Sequence, residues 1–299
     1  MPIAADSWLV GSRGLAHGRP PDDWTRASAR RHPVLSLCRA ADAVWAGVTG
    51  GLWELRGDSW TQRHDETLTE VLALCLAPRD PARPAVVAGS PYGVATPEPA
   101  PGGAWRWSFI DAGLSPDERF TSCLIADPTE GNRVWVGTEA GLYSLDLDKR
   151  RMHPANLAGT PVRALLAAHG SLWAGTDLRG VFRRVPDGSW HPAGAGLDAD
   201  AVFSLAAAGA GMLLAGTSRG IAVGDGEGPW KLCGPRLLVS ALAVGPGADR
   251  KAGEVWLAGA SPGGLWYSAN RGAEWKNVPG HAYVRALAAP AARAPEENP

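Results

Sequence analysis

The sequence predicts an all-β fold made of repeated four-stranded antiparallel sheets, on three observations. An apolar run ending in glycine recurs seven times. The copies are evenly spaced. The two ends of the chain carry complementary fragments of one repeat. The clearest copy is Val134-Trp135-Val136-Gly137-Thr138-Glu139-Ala140-Gly141-Leu142-Tyr143. Its β-branched and aromatic run suits a pleated, packed surface. Two apolar runs on either side of a short Gly-bounded turn read as a hairpin. The other copies end their first run at Gly11, Gly47, Gly89, Gly175, Gly216 and Gly259. From Gly11 to Gly259 is 248 residues in six intervals, about 41 per repeat, the length of a four-stranded propeller blade.

The elements around each hairpin follow in order. A strand-like run precedes it: Val34-Leu35-Ser36, Val71-Leu72-Ala73, Phe120-Thr121-Ser122, Val162-Arg163-Ala164, Val202-Phe203-Ser204, Val239-Ser240-Ala241 and Val284-Arg285-Ala286. The third residue is small each time, as an innermost strand near a crowded axis requires. A Trp usually follows the hairpin: Trp24, Trp60, Trp105 or Trp107, Trp190, Trp230 and Trp275, with Met152-His153 in the remaining repeat. On an outer strand such a ring fills the wedge between splaying blades, burying roughly 150–250 Å². The chain starts on a hairpin with no inner strand and ends on an inner strand with no hairpin. The fragments sum to one sheet, and pairing them removes an exposed edge. The expectation is a seven-bladed β-propeller: one domain over residues 1–290, closed by residues 7–24 against 284–289, with a flexible tail at 291–299. Residues 96–103 are rich in Pro, Ala and Gly and read as a mobile loop. Residues 146–151 read as a solvated charged turn, and no segment reads as a helix.

Composition narrows the function. A net charge of -1 makes no general case for nucleic acid or an anionic membrane surface. No apolar run is long enough to span a bilayer, and no secretory signal opens the sequence. Cys38, Cys75, Cys123 and Cys233 form no C-x-x-C pair. Together these point to a reducing cytoplasm. Seven His at scattered positions give no ligand spacing, so no metal or cofactor is expected.

Two motifs resemble known families. The 135–143 hairpin and its copies are similar to the repeat of regulator-type propellers. Ser268-Ala269-Asn270-Arg271-Gly272-Ala273-Glu274-Trp275 resembles the Asp-box, S-x-D-x-G-x-x-W, with Asn270 in place of Asp. Residues 186–190 and 57–60 are shorter versions. The resemblance implies a folding motif between the two outer strands rather than a site. Asp-box propellers include sialidases, sorting-receptor ectodomains and photosystem assembly factors, so it implies no single function.

In a propeller, the turns joining second to third strands and the approaches to inner strands share one face around the central channel. That mouth is the expected binding surface. The turns place Arg13, Tyr92, Asp177, Arg179 and Arg219 there, with Glu139 and others. The approaches place Arg31, Arg119, Arg163, Arg236, Tyr283 and Arg285 there, with Asp200. Arg and Tyr are enriched at protein-recognition hot spots. Enzyme chemistry has little to stand on. A sialidase needs a Tyr nucleophile paired with Glu, and neither Tyr92 nor Tyr283 has an assigned partner. Glu139 and Asp177 fall on neighbouring blades, but a glycosidase needs two carboxylates facing each other across a sugar. The expectation is a non-catalytic propeller that recognises a protein partner at its Arg-rich mouth. A glycan-binding, lectin-like propeller is the alternative, and a sialidase-like hydrolase the more remote one.

Overall fold

The computed structural model describes residues 3–27, 32–78, 85–99, 104–197, 200–247 and 253–290. It is a ring of seven four-stranded antiparallel sheets. Blade 1 comprises Val34–Arg39, Val44–Val48, Gly51–Arg56 and Ser59–Gln62. Blade 2 comprises Ala73–Ala77, Ala85–Ser90, Gly93–Pro99 and Trp105–Ile110. Blade 3 comprises Thr121–Ala126, Arg133–Thr138, Leu142–Asp146 and Arg151–Asn156. Blade 4 comprises Val162–Ala168, Ser171–Thr176, Val181–Arg184 and Trp190–Pro192. Blade 5 comprises Val202–Ala207, Leu213–Thr217, Gly220–Gly224 and Lys231–Cys233. Blade 6 comprises Val239–Pro246, Glu254–Ala260, Gly264–Ser268 and Lys276–Val278. The closing blade takes Trp8–Gly11, Leu15–Arg19 and Asp23–Arg26 from one end of the chain and Ala286–Ala288 from the other. Leu9, Val10 and Gly11 pair with Ala288, Leu287 and Ala286.

The core lies between blades. Seven hydrophobic clusters each join two neighbours, and the closing blade shares one with blade 6 and one with blade 1. The repeated glycine sets the spacing. A Cβ on Gly11, Gly47, Gly89, Gly137, Gly175, Gly216 or Gly259 would come within 2.9 Å of the residue that opens, or leads into, the inner strand of the next blade: Val34, Val71, Thr121, Val162, Val202, Val239 or Val284. The outer Trp residues add a second tie. Trp60, Trp107 and Trp230 donate their indole N–H to the Ala27, Arg63 and Ala193 carbonyls of the preceding repeat at 2.7–3.0 Å. Each satisfies a polar atom that burial would otherwise leave costly.

Three expectations need correcting. The inner strand of blade 3 is Thr121-Ser122-Cys123, one residue later than the spacing suggested, because Cys123 and not Ser122 faces Gly137. The same register shift, a β-bulge, follows the first inner-strand residue in blades 1, 3, 4, 5 and 6. A bulge leaves one residue unpaired and re-aims its side chain. Here that residue is Leu35, Ser122, Arg163, Phe203 or Ser240. Next, residues 96–99 are strand rather than loop. They pair with Trp105–Ser108 after the strand has outrun its other neighbour at Ala95. Pro97 and Pro99 are tolerated because the missing N–H falls where the strand is an edge. Residues 100–103 lie outside the described residues, as does the tail at 291–299.

The last correction is a short helix, α1 (Pro116–Arg119), between blades 2 and 3. Ser115 caps it, accepting from the Glu118 N–H, while the Glu118 carboxylate accepts from the Ser115 N–H at 2.7 Å. Ser-Pro-Asp-Glu is a capping box with Pro at the first helical position. It is one turn long and buries no residue, so hydrophobic periodicity carries no trace of it.

Candidate functional site

Antiparallel topology brings the second-to-third turn of each blade to the same face as the start of its inner strand. In four blades a hydroxyl closes that turn. Ser90, Thr138, Thr176 and Thr217 donate their side-chain O–H to the carbonyls of Gly93, Gly141, Gly180 and Gly220 at 2.8–3.1 Å. The Gly-Thr step of the repeat is therefore turn chemistry, and the residues after it are free to vary.

The arginines of the mouth divide into two groups. Arg163 is tied inward: it donates to Asp177 Oδ2 at 2.7 and 3.1 Å, to both carboxylate oxygens of Glu139, and to Ser122 Oγ at 3.4 Å. Burial is the largest effect on its pKa and lowers it. The hydrogen bonds and charges of Asp177 and Glu139 together outweigh burial, so the guanidinium ends above its ordinary value. Arg219 pairs with the buried Asp200, donating from Nε at 2.6 Å, and this pairing raises its pKa. Arg179 donates to Thr160 Oγ1 at 2.9 Å and lies 5.0 Å over the Phe182 ring. Arg119 ends α1 and donates to the Leu114 carbonyl at 2.9 Å. In the second group, Arg13, Arg236 and Arg285 are exposed, and Arg13 stacks 4.9 Å over the Tyr283 ring. Arg31 lies outside the described residues.

Glu139 and Asp177 both spend their charge on Arg163, which holds blades 3 and 4 together. Spacing alone does not reveal a different Tyr–Glu pair. Tyr143, on the third strand of blade 3, donates its hydroxyl to Glu118 at 2.9 Å. Burial first, then the hydrogen bond and charge of Glu118, push the Tyr143 phenol up to about 12. Hydrogen bonds from the Ser115 backbone and side chain, then from Tyr143, lower Glu118 below its ordinary value. A phenol held protonated beside a weak base is the reverse of an activated nucleophile. The pair fastens α1 to blade 3.

Apolar exposure is concentrated on the mouth. Among the described residues the exposed large hydrophobics are Tyr92 at 58%, Leu178 at 68%, Leu232 at 47%, Leu238 at 40% and Tyr283 at 40%. All but Leu232, on the outer strand of blade 5, sit on second-to-third turns or inner-strand approaches. The sequence reading placed the two Tyr there and missed the two Leu. Leu178 carries a second cost, a φ of 59°, which an L-residue with a bulky side chain rarely adopts. Among the described residues no group of three or more His, Cys, Asp or Glu is placed to hold a metal ion. No helix there is long and apolar enough to cross a membrane.

No family model and no curated protein matches the chain. Solved structures resemble it in fold. The extracellular domain of BT4673 from B. thetaiotaomicron superposes with a TM-score of 0.66 at 16% identity, over 96% of this chain and 47% of that one. An ancestral GH74 enzyme gives 0.67 at 13% identity, over 93% and 45%. The computationally designed Ika8 protein gives 0.61 at 13% identity, over 94% and 90%. The chain thus spans about half the length of the first and second of these. At such identities the likeness is one of fold. A neighbour that is an extracellular domain lends the cytoplasmic expectation no support.

Proposed function

We propose that the chain is a non-catalytic binding propeller that recognises a protein partner through the mouth of its channel. The observation that carries this reading is the placement of Tyr92, Leu178, Leu238 and Tyr283, four of the five exposed large hydrophobics among the described residues, on that one face. They stand on four different blades around the channel, so a partner that spans the mouth would bury them together. Exposed arginines beside them supply the polar part of a hot spot. Turns tied by Ser90 and Thr176 present Tyr92 and Leu178 with little ordering cost on binding. The engagement of Glu139 and Asp177 by Arg163, and the high phenol pKa of Tyr143, support the non-catalytic part. Four free cysteines fit a reducing compartment.

The test is affinity purification with quantitative mass spectrometry, comparing the unaltered chain with a Tyr92→Glu/Leu178→Glu double variant. Both side chains are exposed, so the variant is expected to fold. A stoichiometric protein partner that is lost with the variant is the expected result. Absence of any such partner, or a partner retained in full by the variant, contradicts the reading. A glycan array with a clear, saturable signal would move the assignment to the lectin-like alternative.

A further inference from the structure

Arg163 and Arg285 occupy the same place in the repeat. Each stands between the first inner-strand Val and the small residue that faces the second-strand Gly. Ala164 pairs with Gly175 in blade 4, and Ala286 with Gly11 in the closing blade. Blade 4 therefore shows what an arginine at this place meets. Its guanidinium reaches the second residue after its own blade's glycine (Asp177), the second residue after the preceding blade's glycine (Glu139), and the preceding blade's bulge residue (Ser122). Transferred to the closing blade, those three places hold Arg13, Ser261 and Ser240. A guanidinium and a hydroxyl stand where blade 4 has two carboxylates.

The exposure follows the change in charge. The Arg163 side chain is 25% exposed, whereas Arg285 and Arg13 are both exposed. Among the described residues neither has a carboxylate partner. Arg13 is steadied over the Tyr283 ring, and the Arg285 N–H is fixed to the Gly11 carbonyl at 3.0 Å. Neither charge is neutralised by a described carboxylate, and an incoming carboxylate would supply the missing partner. Such charge-assisted pairs are the stronger hydrogen bonds. Beside this sector lies a groove of about 480 Å³ lined by Gly263, Gly264, Asn277, Pro279 and His281 among others. Its lining starts two residues after Ser261 and ends at Ala282, next to Tyr283. Three of its eight lining residues are glycine, and Gly280 among them has open space where a side chain would stand.

We propose that this sector binds a side-chain carboxylate of an extended acidic segment of the partner, which takes the place that Asp177 and Glu139 fill in blade 4. The proposal rests on the mouth being the recognition face and adds the partner's chemistry. The test is fluorescence anisotropy with a labelled hexaglutamate peptide at low ionic strength, with hexaglutamine as the neutral control. Hexaglutamate is expected to bind and hexaglutamine not. Arg13→Asp rebuilds the arrangement of blade 4 inside the closing blade, so it is expected to keep the fold and weaken binding by about tenfold or more. Arg285→Gln is expected to do the same, and Arg56→Gln, on the opposite face, to change nothing. Equal binding of hexaglutamine, or unchanged affinity in both mouth variants, overturns the proposal. Full displacement by equimolar inorganic phosphate overturns it as well, since the sector would then hold any anion. If hexaglutamate fails while Tyr92→Glu/Leu178→Glu still loses a stoichiometric partner, the acidic segment is wrong and the mouth stands.

Discussion

At the residue scale, the repeated glycine is the least replaceable part of the chain. A Cβ on Gly216 would meet the Val239 carbonyl at 2.6 Å and its Cγ1 at 2.9 Å. Backbone cannot rotate aside, so Gly216→Ala is expected to cost about 1–3 kcal/mol through overpacking. Chemical denaturation measures it, and a loss near zero would mean the blades are not held this close. Leu178 is the opposite case, since its left-handed backbone and solvent exposure both cost stability. Leu178→Asn is expected to stabilise the fold by about 0.5–1 kcal/mol while weakening partner capture. An unaltered melting temperature would show that this backbone conformation carries no penalty. The sequence names every one of these residues, yet it does not show which arginines are spent. Arg163 and Arg285 look alike in the chain. Their difference comes from the turns of their own and the preceding blade, which supply two carboxylates in one case and a guanidinium and a hydroxyl in the other.

At the element scale, the hairpin with its glycine, its turn hydroxyl and its outer Trp was legible because each part repeats. Elements used once were not. The capping box of α1 lies in a connector, and the blade 3 inner strand opens on Thr121 where the other copies have Val, so its start leaves no mark in the hydrophobic pattern. The Pro-rich third strand of blade 2 reads as loop because edge pairing, which excuses its prolines, is a tertiary fact. The closing blade also carries pH sensitivity. Burial lowers His17 and His281 below the ordinary histidine value, and Arg26 lowers His281 further. A histidine with a depressed native pKa is protonated more readily in the unfolded chain. Stability is then full above about pH 6.5 and falls as pH drops from there toward the native pKa. His281 packs edge-on against Trp24 at 5.3 Å. Hydrogen exchange at pH 5.5 against pH 7.5 is expected to show the closing blade loosening first, with His281→Gln flattening the difference. Uniform loosening of all seven blades would contradict this.

At the scale of the whole molecule, the ring is shut by one strand pairing between distant parts of the chain. Val10 and Leu287 stand opposite each other in that pair. A Val10→Cys/Leu287→Cys variant is expected to cross-link under mild oxidation. Closing so long a loop is expected to stabilise by up to about 4–5 kcal/mol where the geometry is unstrained. The native thiols are poor competitors, since burial pushes Cys38 up to about 11 and Cys123 up to about 12. Failure to cross-link in the folded protein would contradict closure. Seven blades and their shared sheet were readable from spacing and from the complementary ends. The face that recognises a partner follows from topology only after the ring is known.

The most direct measurement of the central claim is hydrogen exchange of the chain, free and within its purified partner complex. The account predicts slowed exchange at 12–14, 90–93, 176–180 and 260–264, the turns of the mouth. Protection confined to the opposite face, at 40–43, 127–132, 168–171 and 208–212, would contradict it.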